Sequence, residues 1–145
     1  MGAQNKIVAC IDPGVNPGLA IYLNGLLIDA YYLTDVEAFT VPIKADVVVL
    51  EHLYIDRHSR QPPNDIVKAQ LWGAFLAGKF QPKILETVLP SEWKGQVPKD
   101  VHNKWIISKL SADEVDVIKT CTTKKSKLHN VIDAAGIGLW YLKRR

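Results

Sequence analysis

Three carboxylates in this chain stand where carboxylates are normally excluded. Asp12 closes the apolar run IVACI and precedes a Pro13-Gly14 turn, Glu51 closes the run ADVVVL, and Asp133 lies among Ala, Gly and aliphatic residues in HNVIDAAGIGLWYL. An unpaired buried charge is costly, so each acid must turn outward, find a partner or bind a cation. Asp12 is either an Asx-turn former or a metal or phosphate ligand. Glu51 is either a surface carboxylate opening a loop or a ligand. Asp133 is either a helix acid paired with His129 or a lysine, or a ligand. Each plain reading stands alone; all three together are harder to sustain in one short chain. Carboxylates within a few ångströms repel and raise one another's pKa unless a cation sits among them. Oxygen ligands without thiolates suit Mg2+, or Mn2+ as a substitute, rather than zinc. Two such ions, about 3.5–4 Å apart, can serve phosphodiester hydrolysis. His129 and Asn130 precede Asp133 by four and three residues, which puts them on neighbouring parts of one helical surface.

The hydrophobic pattern says which elements must carry these acids. Residues 6–12 and 19–22 read as hairpin arms, punctuated by Pro13-Gly14 and Asn16-Pro17-Gly18. Asn24-Gly25 is a two-residue turn signal before a third strand at 26–33, and 34–40 is a short helix or turn. Residues 45–50 form a β-branched run without alternation, the mark of a strand buried on both faces. A polar, basic loop follows at 52–64. Asn64 or Asp65 then caps a helix to about Phe80, with Ile66, Ala69, Leu71, Trp72, Phe75 and Leu76 facing the core. Residues 83–89 form another strand and 90–98 a loop, and a helix opened by Pro98 or Lys99 runs through Lys109. Ser111 with Asp113-Glu114 signals a short helix to about Ile118, 119–127 is a basic loop, and 129–142 is the last helix. Hairpin-linked strands followed by strand–helix alternation predict an α/β layered domain with a mixed sheet. If the first and fourth strands are parallel neighbours, Asp12 and Glu51 emerge together at one sheet edge, where such sheets hold their sites.

The bulk numbers fit one domain over residues 1–145, with 48% apolar and 23% charged residues. A net charge of +3 permits a polyanionic partner without demanding one. Cys10 and Cys121 have no metal spacing and read as inert thiols in a reducing compartment. The opening MGAQNKIVACI lacks the apolar core of a signal peptide, and Lys6 stands where myristoylation wants Ser or Thr. No stretch approaches the ~18 apolar residues of a membrane span. The expectation is a soluble intracellular domain with no membrane partner.

IDPGVNPGLAIY, VVVLEHLY, PSEWKGQVPK and HNVIDAAGIGLWYL, in that order, resemble the successive signatures of the RuvC-type Holliday junction resolvases, most of all their small phage-encoded branch. The resemblance runs from Ile7 to Leu142. It implies an RNase H-like fold, here with a five-stranded sheet of three antiparallel strands and then parallel ones, flanked by helices. It also implies a homodimer that cuts four-way DNA junctions by paired symmetric nicks with divalent metal, in the cytoplasm of a bacterial cell. Asp12 and Glu51 match the first two metal-binding acids and Asp133 the last. The acid or histidine usual three residues before the final aspartate is Asn130 here, which offers a neutral carbonyl oxygen and binds metal more weakly. His129 beside it is either a capping residue or a ligand or proton-transfer group.

Tyr54 matches an aromatic that stacks on an exposed base near the junction; by composition it could equally be a core tyrosine. Arg57 and Arg60 in the next loop can hold phosphates, as can Lys94, Lys99, Lys104, Lys124, Lys125 and Lys127. The tail Lys143-Arg144-Arg145 adds positive charge, a solvated terminal run being the other reading. The helix from Asp65 to Phe80, with Trp72, Phe75, Leu76 and Phe80, is the candidate dimer surface, core packing being the other reading. The leading expectation is therefore a metal-dependent, structure-selective DNA endonuclease with Asp12, Glu51, His129, Asn130 and Asp133 at its centre. The alternatives are a YqgF-like nuclease of the same fold acting on RNA, and a non-catalytic module that binds branched nucleic acid.

Overall fold

The structure is a computed structural model that describes residues 5–55, 61–121 and 125–144, and of Lys125 the backbone alone. Its elements in chain order are β1 (Ile7–Asp12), β2 (Gly18–Leu23), β3 (Leu26–Tyr32), β4 (Val47–Glu51), α1 (Pro63–Lys79), β5 (Ile84–Val88), α2 (Pro90–Trp93), α3 (Lys99–Lys109), α4 (Ala112–Thr120) and α5 (Lys125–Tyr141). The strands form one sheet in the order β3-β2-β1-β4-β5. β1 pairs antiparallel with β2, and β2 with β3, whereas β1–β4 and β4–β5 are parallel. Asn24 and Gly25 both take positive φ at the β2–β3 turn, as a tight two-residue hairpin requires.

Strand alternation sends neighbouring residues to opposite faces. Ile7, Ala9 and Ile11 of β1, with Val48 and Leu50 of β4, pack with Leu76, Ala77 and Phe80 on the α1 side. Val8 and Cys10, with Val47 and Val49, pack with Val131, Ala134, Ala135, Ile137 and Leu139 of α5, together with Ile106 and Ile118 of α3 and α4. The central strands are therefore covered on both faces, which explains their unbroken apolar runs. Each fully buried aliphatic side chain contributes about 1.5–3 kcal/mol. By the same alternation Asp12 and Glu51 fall on the face that α5 covers.

Two glycines set how closely the helices approach. A Cβ on Gly18, which pairs with Asp12 across β1–β2, would collide with the backbone carbonyl of Asn130. One on Gly73 would meet Pro13 Cβ at 2.9 Å and Leu50 Cδ1 at 3.0 Å. The first contact seats α5 on the hairpin, and the second seats α1 beside the turn after Asp12.

Several expectations need correction. Residues 90–93 are the short helix α2, not loop, and α5 starts at Lys125, earlier than expected. α1 opens on Pro62-Pro63 rather than on a cap by Asn64 or Asp65, because a missing N–H costs nothing in a first turn. Leu71 and Phe75 are 65% and 49% exposed, whereas Leu76 and Phe80 are core residues and cannot form a dimer surface. Arg144 is no solvated tail residue. It forms a two-pronged ion pair with Glu114, both contacts at 2.7 Å, and donates to the Gly25 carbonyl at 2.9 Å. Glu114 also accepts from the N–H groups of Leu27 at 2.8 Å and Ser111 at 3.0 Å. Arg144 thus ties the segment after α5 to α4 and the β2–β3 turn. Among the described residues no helix is long and apolar enough to cross a membrane.

Candidate active site

A cavity of about 590 Å3 opens beyond the C-terminal ends of β1 and β4. Ile11 pairs with Leu50 in the parallel ladder, so Asp12 and Glu51, one residue further on, reach it side by side. α5 brings Asp133, Asn130 and His129 to the same space, and the segment after β5 brings Lys94 and Lys99. The sheet supplies two acids and the helix a third, which is why the spacing in sequence is so wide.

The acids bear on one another. Burial, then the charges of Glu51 and Asp133, hold the Asp12 carboxyl well above its usual pKa, with Lys94 and Lys99 offsetting part of the effect. Burial also raises Glu51; against it act Lys94, a hydrogen bond from Trp93 and one shared with Asp12, while Asp133 adds to the rise. Ionising either Asp12 or Glu51 therefore makes ionising the other harder. Asp133 is raised by burial against the pull of Lys94 and Lys99.

Trp93 Nε1 donates to Glu51 Oε2 at 2.6 Å, deep in the protein. Asn130 donates through Nδ2 to the Asn16 carbonyl at 3.3 Å, which leaves its own oxygen for another partner. His129 Nδ1 lies 2.8 Å from the Ser126 carbonyl, an acceptor, so Nδ1 carries the proton and Nε2 the lone pair. Burial, then the charge of Lys99, lowers the pKa of His129, against the Ser126 hydrogen bond that raises it.

Among the described residues, no three His, Cys, Asp or Glu side chains converge into a preformed metal-ligand set. One Glu51 oxygen is engaged by Trp93. The donors nevertheless fit a hard divalent ion: they are oxygens, they face one cavity, and their charges are only partly offset by lysine. An arrangement of this kind can gather a cation and a phosphate in one place.

Of the other expected contacts, Tyr54 lies outside this cavity. It is 51% exposed, beside a second hollow of about 380 Å3 lined by Leu53, Ile55, Val67 and Leu71. It is not a core tyrosine. Lys104 is exposed on α3, and Lys127 reaches over the Tyr32 ring at 5.8 Å. Arg57, Arg60, Lys124 and the Lys125 side chain lie outside the described residues. Asp65 and Lys68 of α1 also line the cavity, although the sequence does not point to either as a site residue. The sequence marks Asp65 only as a cap; its spacing of three from Lys68, beside small Ala69, is the available signal.

No family model matches the chain, and no curated protein matches it in sequence. Comparison of folds is more informative. The strand order, the mixed pairing and the helices on both faces define the RNase H-like class. Within it the chain resembles RuvC. Thermus thermophilus RuvC in complex with Holliday junction substrate matches with a TM-score of 0.53 at 13% identity, over 95% of this chain and 95% of that one. A second T. thermophilus RuvC structure matches with a TM-score of 0.50 at 14% identity, over 94% of this chain and 95% of the other. The resemblance carried by the motifs is therefore matched by the fold along nearly the whole chain.

Proposed function

We propose that this protein is a divalent-metal-dependent endonuclease that resolves four-way DNA junctions by paired nicks. The observation that carries the reading is the meeting of Asp12, Glu51 and Asp133, from β1, β4 and α5, with Lys94 and Lys99 around one cavity. The fold is that of RuvC, and one of the matching RuvC structures holds Holliday junction substrate.

In this reading Asp12, Glu51, Asp133 and the Asn130 carbonyl oxygen hold Mg2+, with Mn2+ as a substitute and two ions per site. The bound cations supply the charge that activates water and stabilises a leaving oxygen. Lys94 and Lys99 draw the scissile phosphate into the cavity and oppose its negative charge. Neutral His129 presents the Nε2 lone pair as an acceptor for a proton from the attacking water. Exposed Tyr54 offers a ring on which an unpaired base can stack, worth about 1–3 kcal/mol. Two sites are needed for paired cuts. The exposed strip of Val67, Leu71 and Phe75 on α1, continuous with Tyr54 and Ile55, is the surface through which two copies would join.

The test offers the purified protein a labelled mobile four-way junction, a linear duplex and a structured RNA, each with Mg2+, Mn2+ or EDTA. Symmetric nicks near the junction centre are expected with metal only, and Asp12→Asn should slow them by about 10^3-fold. Binding without nicking in either metal would leave a branched-DNA-binding module. Cleavage of RNA alone would assign a YqgF-like activity.

A further inference from the structure

We infer that Trp93 is a positioning residue: its indole N–H fixes which oxygen of Glu51 is free to face the cavity. The inference rests on the proposed metal site and deepens it. Trp93 and Glu51 are 42 residues apart and joined by a 2.6 Å hydrogen bond, with Trp93 only 1% exposed. An indole N–H can only donate, so it selects an unprotonated carboxylate oxygen and holds it.

The direction of control follows from what holds the ring. α2 is pinned at its start by the Leu89 N–H donating to Glu92 Oε1 at 3.0 Å. The indole packs against the His102 ring, with centroids 5.2 Å apart. On another side it meets α5 at Gly136, where a Cβ would stand 2.8 Å from Cζ3. The ring is therefore placed by α2, α3 and α5, and Glu51 conforms to it. The same ring carries the ammonium of Lys94, 5.2 Å from its centroid, beside the acids that this lysine opposes. One side chain thus orders a carboxylate and a cation of the cavity.

The consequence is chemical. The indole occupies one lone pair of Oε2 and holds that oxygen toward the buried ring, so the oxygen Glu51 presents first to a cation is Oε1. One-oxygen binding suits the strict octahedral demand of Mg2+, whereas Ca2+ commonly takes a carboxylate by both oxygens. Trp93 therefore biases the site toward the smaller ion.

The test needs no DNA. In uniformly 15N-labelled protein, Mg2+ is added while indole and amide resonances are followed, the Trp93 indole signal being assigned in the wild type by its through-space contacts with the His102 ring. The expected result is that the Trp93 indole moves in step with the amides of Asp12, Glu51 and Asp133. Trp93→Phe, which keeps a ring but not the donor, should weaken Mg2+ binding about 10-fold and weaken Ca2+ binding less. If those amides move and the indole stays still, or if a folded Trp93→Phe protein keeps the wild-type Mg2+ affinity and preference, the positioning role is overturned and the metal site stands. If no amide of the three acids responds to Mg2+, the metal site itself is overturned, and the inference falls with it. The indole shift is read on the wild-type chain, so it remains decisive if the variant folds poorly.

Discussion

Glu51 and Glu114 are equally buried, each with 3% of its surface exposed, yet their proton affinities are pushed in opposite directions. Burial raises both. At Glu114 it is outweighed by Arg144 and by the N–H groups of Ser111 and Leu27, which bring the pKa down to about 2. Glu51 has an indole, the charge of Lys94 and acidic neighbours, and its pKa stays up. The first carboxylate has every acceptor position filled from within the chain. The second has been left short of positive charge in a cavity open to solvent. Such a difference separates an acid that holds the fold together from one arranged to receive something from outside.

The sharpest way to break the comparison is at Arg144. Arg144→Ala strands a buried carboxylate and should cost about 3 kcal/mol in urea unfolding, with nicking per folded molecule unchanged. An equal loss of stability from removing Asp12 would erase the distinction. Asp12→Asn should instead stabilise the metal-free protein, by on the order of 1 kcal/mol, because it removes repulsion that only a cation otherwise relieves. The gain should shrink when Mg2+ is added to the wild-type protein. The subtlest test is the dependence on pH. The contribution of Glu114 is complete above its unfolded pKa near 4.5 and is lost as pH falls toward the folded value of about 2. The raised cavity acids act with the opposite sign. Their cost is absent in acid and grows as pH rises through their elevated values, so wild type and Asp12→Asn should unfold alike at about pH 4 and diverge toward neutrality. Urea midpoints at a series of pH values, with and without Mg2+, measure both trends.

Much of this was legible in the sequence. The strands were marked by apolar runs and by Asn24-Gly25, and Asp12, Glu51 and Asp133 by their apolar surroundings. What escaped has a common cause, namely that pattern reads one element at a time. The helix around Leu71 and Phe75 is apolar on nearly every side, so periodicity could not say which side the sheet would leave bare. α2 is only one turn long, and a loop and a turn of helix look alike in PSEW. The bond from Trp93 to Glu51 and the clamp from Arg144 to Glu114 join residues 42 and 30 positions apart, which spacing along one element does not encode. Asp65 and Lys68 reach the cavity from α1, which Gly73 lets settle against Pro13.

Gly18 faces Asp12 across the hairpin and touches the main chain of Asn130, with no room for a side chain between them. The gauge between the sheet acids and the helix acid is therefore cut in backbone, and the fit of core side chains does not set it. Any side chain at that position would lift the start of α5 as a unit. Asn130 and Asp133 would then depart together, while β1 and β4 kept Asp12 and Glu51 in register, and the cavity would part along the seam between hairpin and helix.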